Sequence, residues 1–540
     1  MKTLILGNDA VARGLYEAGV AVASSYPGTP STEITEVLAN YGEVYSEWAP
    51  NEKVALETAL GASIGGRRAF CGMKHVGLNV AADPLFTASY TGVSAGLVIA
   101  VADDPGMHSS QNEQDSRHYA VAAKLPMLEP ADSRECYEFA KYAFELSESF
   151  DTPVLLRICT RVAHSQSVVE TGERAVPEIK PYKKDIAKYV MMPGNAKLRH
   201  PIVEERTRRL AGLAEASPLN RAEYGTDANI KKLGVITSGT SYQYVREAFG
   251  DDVSVLKLGL VNPLPEKLIR EFAARVERVV VVEELDPVIE NHCRALGLDV
   301  SGKDIFPICG EFSQGLVENV LGRDIETAGG RGQSPLRTGF DADLPARPPV
   351  MCAGCPHRGM FYSLMKNKVT VLGDIGCYTL GAVAPLFAID TTICMGASVS
   401  GLHGFTHAQG NEAAERAVGV IGDSTFIHSG VTGLINIAYN GGASTVIILD
   451  NSITGMTGHQ QNPTTGLNIH GDPAGKIDLE ALCRAVGISR VRVVDPYKLD
   501  ECDEAIREEL AADEPSVIIS RRPCALLKTV KHKPPLSINP

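Results

Sequence analysis

The chain has 540 residues, of which 44% are hydrophobic and 22% charged, enough for several globular domains with cores that need no disulfide staples. Its 52 Lys+Arg stand against 65 Asp+Glu, a formal net charge of −13, which argues against nucleic-acid or anionic-membrane binding as its task. The longest strongly apolar stretch, Gly92 to Ala102, is too short to span a bilayer, and the N-terminal apolar run meets Asp9 too early for a signal peptide. A cytoplasmic protein without nucleic-acid or membrane partners is expected.

The first region, 1–186, alternates apolar strand-like runs with helical stretches. Ala69–Met73, Gly96–Val101 and Thr152–Ile158 read as buried strands, and Glu52–Ile64 as a helix with an alanine-rich inner face. Such alternation predicts a mainly parallel α/β sheet. Residues 187–230 are charged, lack strong strand runs and read as a helical connector. A second α/β unit, 231–327, has strands at Lys232–Thr237, Val253–Leu258 and Val279–Val282. A Gly- and Pro-rich linker, 328–349, follows. The last region, 350–527, has strands at Thr370–Leu372, Ala417–Ile421, Thr445–Leu449 and Ser516–Ile519, and 528–540 form a tail. The fold class is therefore α/β, with three doubly wound, mainly parallel sheets. Ligands of such sheets bind beyond the carboxyl ends of the strands.

Two of those ends carry chemistry. Gly422-Asp423-Ser424 follows the strand AVGVI, and Asp450-Asn451 follows STVIIL. One carboxylate and one amide oxygen at adjacent strand ends suit Mg²⁺, which usually keeps phosphate and water among its ligands. Gly422 permits close backbone approach to a diphosphate, and a helix expected to start near His428 points its N-terminus at the same place. A strand-end Asp capping a helix accounts for Gly-Asp equally well. Asn51-Glu52 opens the helix of the first region, where a first-turn Glu is also favoured by the helix dipole alone; Glu57 is its rival.

Twelve cysteines are too few for a disulfide scaffold. One pair, Cys352 and Cys355, has CxxC spacing and is followed by Pro356-His357. This spacing serves zinc, thiol redox or iron–sulfur ligation. Zinc would call for a second CxxC or an HxxxH, and the sequence is read as offering neither.

The GD(S)…N pattern resembles the thiamine diphosphate signature, with Ser424 where Gly is commoner. That resemblance implies Mg²⁺ held by Asp423, Asn451 and the carbonyl of Ile453, with Gly422 and Ser424 beside the diphosphate. It also implies a Glu that protonates the aminopyrimidine, here Glu52 in NEKVALETALGASIGG. Gly455-Met456-Thr457-Gly458-His459-Gln460 resembles the TGGQ-type stretch of 2-oxoacid:ferredoxin oxidoreductases, which places Thr457 and Gly458 by the cofactor. Tyr26-Pro27-Gly28-Thr29-Pro30-Ser31 resembles the YPxTPS turn of that family, whose Thr contacts the substrate carboxylate. With MKHVGLN (73–79), SSQNEQDSR (109–117) and GDSTFIHSG (422–430), almost the whole chain resembles the α-subunit family of indolepyruvate:ferredoxin oxidoreductases.

The family resemblance implies oxidative decarboxylation of aryl 2-oxoacids to aryl-acetyl-CoA with reduction of ferredoxin. Thr29, with His75 or Arg117, would lie near the carboxylate. It implies a [4Fe-4S] cluster on Cys352, Cys355, Cys377 of the DIGC turn, and Cys524 of RRPC; Ala353 departs from the family's usual Pro. The first domain would bind the aminopyrimidine and the third the Mg²⁺-diphosphate, while the middle one resembles the transketolase C-terminal domain. A smaller β subunit, CoA and a dimer of such chains complete the set. The family's ferredoxin-like module would begin where the sequence reaches Lys531–Pro540, so a separate ferredoxin or ferredoxin-like partner is expected. A nonoxidative thiamine decarboxylase or carboligase shares the GD…N pattern but needs no cysteine set. A noncatalytic scaffold would need none of these side chains.

Overall fold

The computed structural model describes residues 2–224, 232–322, 349–410 and 415–531. The chain divides into two compact units, Met1–Ala342 and Asp343–Pro540.

The first unit holds a seven-stranded sheet in the order Leu260–Asn262, Met127–Leu128, Val154–Cys159, Leu97–Asp103, Ala69–Lys74, Val22–Ser25, Tyr45–Trp48. All neighbours are parallel except Leu260–Asn262. The central strands are buried along their whole length because both faces are covered. Phe70, Val98, Ala100 and Leu156 enter one hydrophobic cluster; Ala69, Cys71, Ile99 and Leu155 enter another. Alternate residues thus serve opposite faces, as a strand's period of two requires.

A five-stranded sheet follows in the order Val300–Ser301, Arg278–Val282, Leu233–Ser238, Ser254–Leu258, Arg221–Glu223, the last antiparallel. Ile236, Leu256 and Val281 belong to the same cluster as Ile99 and Leu155, so this sheet and the first share a core. The connector is a 24-residue helix, Pro193–Ala216, as its charged, strand-poor sequence suggests. It departs from the expectation at Arg221–Glu223, a short edge strand that its charge pattern concealed. A two-stranded antiparallel ribbon, Lys2–Leu6 with Gln166–Glu170, completes the unit.

The second unit holds a six-stranded parallel sheet in the order Thr391–Thr392, Thr370–Gly373, Ala417–Gly422, Thr445–Asp450, Ser516–Arg521, Arg490–Val494. Val418, Ile447 and Ile518 bury one face, and Ala417, Val446 and Val517 the other. The fold is α/β with three mainly parallel sheets. The Gly/Pro linker, up to residue 348, and the tail from residue 532 lie outside the described residues. Among the described residues no helix is long and apolar enough to cross a membrane.

One local expectation fails. The helix placed near His428 begins at Asp423, directly after the strand. A helical turn, Asp423–Thr425, passes through a π-helical turn, Phe426–Gly430, into the helix Val431–Asn440. The strand therefore needs no intervening loop, and Asp423 occupies the helix's own first turn.

Candidate active site

Glu52, the Thr29 turn and His75 lie in the first unit. The Asn51 side chain caps the helix Glu52–Ile64, accepting from the Val54 N–H at 2.9 Å, as its sequence position just before an apolar helix predicts. Glu52 is buried. Its carboxylate lies over Gly77 so closely that a Cβ there would stand 2.5 Å from Glu52 Oε1, which leaves room only for glycine. The rival, Glu57, is exposed and pairs with Lys53 on the outer face of the helix.

The main chain of the Thr29 turn is held from both sides. Asn8 Nδ2 donates to the Pro30 carbonyl at 2.7 Å and Ser109 Oγ to that of Thr29 at 3.2 Å. His75 begins the helix His75–Val80 and is buried, which pulls its basicity down against the opposing pull of Asp103.

Arg117 has another role. Its guanidinium donates to Asp115 at 2.9 and 2.5 Å, to Glu283 Oε2 at 2.5 Å, and to the carbonyls of Glu284 and Asp286 at 3.1 and 2.9 Å. These bonds join the segment before the helix Arg117–Ala123 to the end of a middle-sheet strand. Buried and paired with two carboxylates, the side chain is already neutralised by its own chain.

The Gly422–Ser424 and Asp450–Ile453 segments are in the second unit. Gly422 ends its strand, but the space beside its Cα is filled by the Tyr378 ring, whose Cε1 lies 2.6 Å from where a Cβ would be; packing against that ring is what demands glycine here. Asp423 is buried, with Oδ1 accepting from the Ser424 N–H at 2.8 Å and Oδ2 from Thr464 Oγ1 at 3.0 Å. Burial, reinforced by the neighbouring Asp450, pushes its carboxyl up to about 7. No cation pairs with it among the described residues, whereas Asp450 accepts from Arg521 Nε at 2.8 Å.

A run of hydrogen bonds ties the following loop back to Asp423. Thr464 Oγ1 meets Asn462 Oδ1 at 2.6 Å, Asn462 Nδ2 donates to Thr454 Oγ1 at 3.3 Å, and Thr454 Oγ1 donates to Ser424 Oγ at 3.0 Å. Thr457 and Gly458 lie on the turn above, where Thr457 Oγ1 bonds the Gln460 side chain at 2.5 Å. Asn451 and Ile453 are buried, with the Ile453 N–H 3.4 Å from Asn451 Oδ1.

Cys352, Cys355, Cys377 and Cys524 all line one cavity of about 110 Å³, together with His357 and Asn451. Burial raises the Cys377 thiol to about 11, and the other three thiols add to the shift. Two supports fix the CxxC loop. Arg358 Nε donates to the Cys352 carbonyl at 3.0 Å, and Tyr497 Oη to that of Gly354 at 2.6 Å. Arg522, two residues before Cys524, stacks on the Tyr497 ring with its Cζ 3.8 Å from the centroid. His357 is buried, which lowers its pKa to about 4, and its Nε2 lies 3.4 Å from Asn451 Nδ2.

Among the described residues, no three His, Cys, Asp or Glu side chains converge on one ion. The Asp423 carboxylate and the Asn451 amide suit Mg²⁺ that takes phosphate and water beside them. Four thiols on one cavity suit a cubane, in which each thiolate binds a different iron. An HxxxH pair does exist, contrary to expectation, at His403 and His407, whose rings stack edge-on 4.4 Å apart. Neither lines the cysteine cavity.

Sequence reasoning named His357 only as the neighbour of the CxxC pair, and missed Asn462 and Thr464. His357 had a signal in the tripeptide Cys-Pro-His. Thr464 and Asn462 had none, because a loop's return to its origin leaves no spacing rule.

Comparison with known proteins matches residues 13–217 to the thiamine diphosphate-binding family of pyruvate flavodoxin/ferredoxin oxidoreductases, and residues 374–520 to the C-terminal binding domain of thiamine pyrophosphate enzymes. The chain is 42% identical to the indolepyruvate oxidoreductase subunit IorA of Archaeoglobus fulgidus, over 97% of this chain and 87% of that one. It is 40% identical to IorA of Methanothermobacter thermautotrophicus, over 100% and 89%. A solved 2-oxoglutarate:ferredoxin oxidoreductase from Magnetococcus marinus, with 2-oxoglutarate, coenzyme A and succinyl-CoA bound, shares the fold. Its TM-score is 0.50 at 20% identity, covering 60% of this chain and 65% of that one.

Proposed function

The chain belongs to the thiamine diphosphate-dependent 2-oxoacid:ferredoxin oxidoreductases of the IorA type, and on that premise we propose that it oxidatively decarboxylates aryl 2-oxoacids such as indolepyruvate. The balanced reaction takes the 2-oxoacid and CoA to aryl-acetyl-CoA, CO₂, a proton and two electrons, the electrons leaving through a [4Fe-4S] cluster to a ferredoxin-type acceptor. A smaller second subunit, a dimer of these chains and a cytoplasmic setting complete the reading.

One observation carries the oxidative form of the proposal. Asn451, the amide of the GD…N pair, lines the same cavity as all four cysteines. A nonoxidative decarboxylase has no use for that cysteine set.

Thiamine diphosphate, when bound, supplies a carbanion that adds to a ketone and accepts the electrons freed as CO₂ departs. The chain's residues do the rest. Glu52, buried over Gly77, holds a proton for the aminopyrimidine nitrogen. Asp423, Asn451 and the Ile453 carbonyl hold Mg²⁺, which neutralises the buried carboxylate. Gly422, Ser424, Thr457 and Gly458 form the diphosphate end. The Thr29 hydroxyl and His75 orient the substrate.

The test is iron, acid-labile sulfide and bound thiamine diphosphate on one anaerobic preparation, for the wild type and for Glu52→Gln. About four irons and four sulfides per chain are expected in both. Glu52→Gln should keep the cofactor and lose turnover. Cofactor without iron would move the reading to a nonoxidative enzyme, and full activity of Glu52→Gln would remove Glu52 from its role.

A further inference from the structure

The substrate of the proposed reaction is an anion, and Arg117 is already paired with two carboxylates. At the same end of the sheet, among the described residues, one buried cation has no carboxylate partner. Lys74 is the last residue of the strand Ala69–Lys74 and is 8% exposed. Its Nζ donates to the Ser109 carbonyl at 2.6 Å and reaches Ser109 Oγ at 3.4 Å. Among the described residues it forms no ion pair. An ammonium has three protons to donate, and Ser109 takes two.

The other charges nearby are committed. Asp104 accepts from the Ser109 N–H at 2.8 Å, Ser110 Oγ at 2.6 Å and Thr160 Oγ1 at 2.7 Å. Arg157 donates to Asp103 at 2.7 Å and to Glu129. His75, the next residue, is buried and kept less basic by that burial. Burial lowers Lys74 itself to about 8, against a weaker opposing pull from Asp104, so at neutral pH most of it is still charged.

Position completes the argument. Ser109 Oγ, which contacts the ammonium, also bonds the carbonyl of Thr29. Gly28, in the same turn, is bare against Lys74, since a Cβ there would lie 3.1 Å from Lys74 Cβ. Gly77, three residues on, carries Glu52. A buried charge is costly unless an opposite charge meets it, and among the described residues no carboxylate pairs with Lys74.

We propose that the Lys74 ammonium receives the carboxylate of the 2-oxoacid, as a specificity-determining residue beside the Thr29 turn. The assignment rests on the 2-oxoacid reading of this site. The carboxylate leaves as neutral CO₂, so its charge fades along the reaction. A contact that holds the carboxylate alike in the bound substrate and during attack on its ketone is uniform binding, and its loss falls on KM rather than kcat.

The experiment compares the wild type with Lys74→Met and Lys74→Arg in the assembled enzyme, with indole-3-pyruvate as substrate and a viologen dye as acceptor. Thiamine diphosphate affinity by calorimetry and Tm are measured on each. Lys74→Met should raise KM roughly hundredfold, as loss of one member of a buried charge pair does, with kcat within about threefold. Lys74→Arg should recover part of the loss. Thiamine diphosphate affinity should stay put, and Tm of Lys74→Met should rise because an unpaired buried charge is gone. A wild-type KM in Lys74→Met, or a fall in its cofactor affinity or Tm, overturns the proposal alone. A wild type that binds no thiamine diphosphate or leaves indole-3-pyruvate unconsumed overturns the 2-oxoacid reading and the proposal with it.

Discussion

Two buried networks, one in each unit, handle charge in opposite ways. In the first, Arg117 and Arg157 are each hydrogen-bonded to two carboxylates. Glu283 also takes the backbone N–H groups of Ile289 and Glu290 at 3.0 and 2.9 Å. In the second, Asp423 faces another carboxylate and receives only neutral donors. The difference separates architecture from function. A buried charge satisfied by its own chain holds the fold together, and one left short is shaped for something the chain does not contain. In the first unit Lys74 and Glu284 are likewise buried without an ion pair among the described residues, and Lys74 lies beside the Thr29 turn.

The contrast can be broken most forcefully at Arg117. Arg117→Met should destabilise the protein by about 5 kcal/mol, the upper range for a broken buried pair, because Asp115 and Glu283 lose their partner together. Denaturant unfolding measures this. A loss under about 1 kcal/mol would mean that the network is incidental.

Asp423 should show the opposite sign. In metal-free protein its pKa lies near 7 in the native state and near the ordinary carboxylate value when unfolded. Between about pH 4 and 7 the native state therefore binds the extra proton, and stability falls as pH rises, by on the order of 4 kcal/mol across the window. Asp423→Asn should flatten the profile, and Mg²⁺ with thiamine diphosphate should reverse it. An unchanged pH profile in Asp423→Asn would show that Asp423 is not the strained group.

The smallest effect sharpens the comparison. Thr464→Val removes one neutral donor from Asp423 and should weaken Mg²⁺ binding by about tenfold, as loss of an outer hydrogen bond to a ligand does. Calorimetry with Mg²⁺ and thiamine diphosphate reads it, and unaltered affinity would reduce the Thr464 contact to packing.

Much of this was legible in the sequence, for stated reasons. Fully apolar runs such as LVIAVA mark strands buried on both faces. Asn51 before an alanine-rich helix marks a cap. GD…N marks strand ends with ligand chemistry and CxxC a ligand-bearing turn, though the gathering of Asn451 and the cysteines around one cavity had to await the fold. What stayed hidden depends on tertiary context. Arg117 looked like a substrate cation because its partner Glu283 is remote in sequence. Lys74 carries no signal within MKHVGLN because nothing local tells that the Ser109 loop folds over it. The early start of the helix at Asp423 was concealed by the π-turn, which shifts the apolar period by one residue.

The Arg117 bonds also bear on how this chain can be divided and exchanged. A cut after the long helix Pro193–Ala216 would look clean by connectivity. It would leave Arg117 and Asp115 on one piece and Glu283 on the other, and would strip the strand Leu260–Asn262 from the edge of the first sheet. The first two sheets are therefore a single unit of inheritance: recombination between relatives that swaps one without the other hands the recipient a guanidinium cut for a carboxylate it does not have.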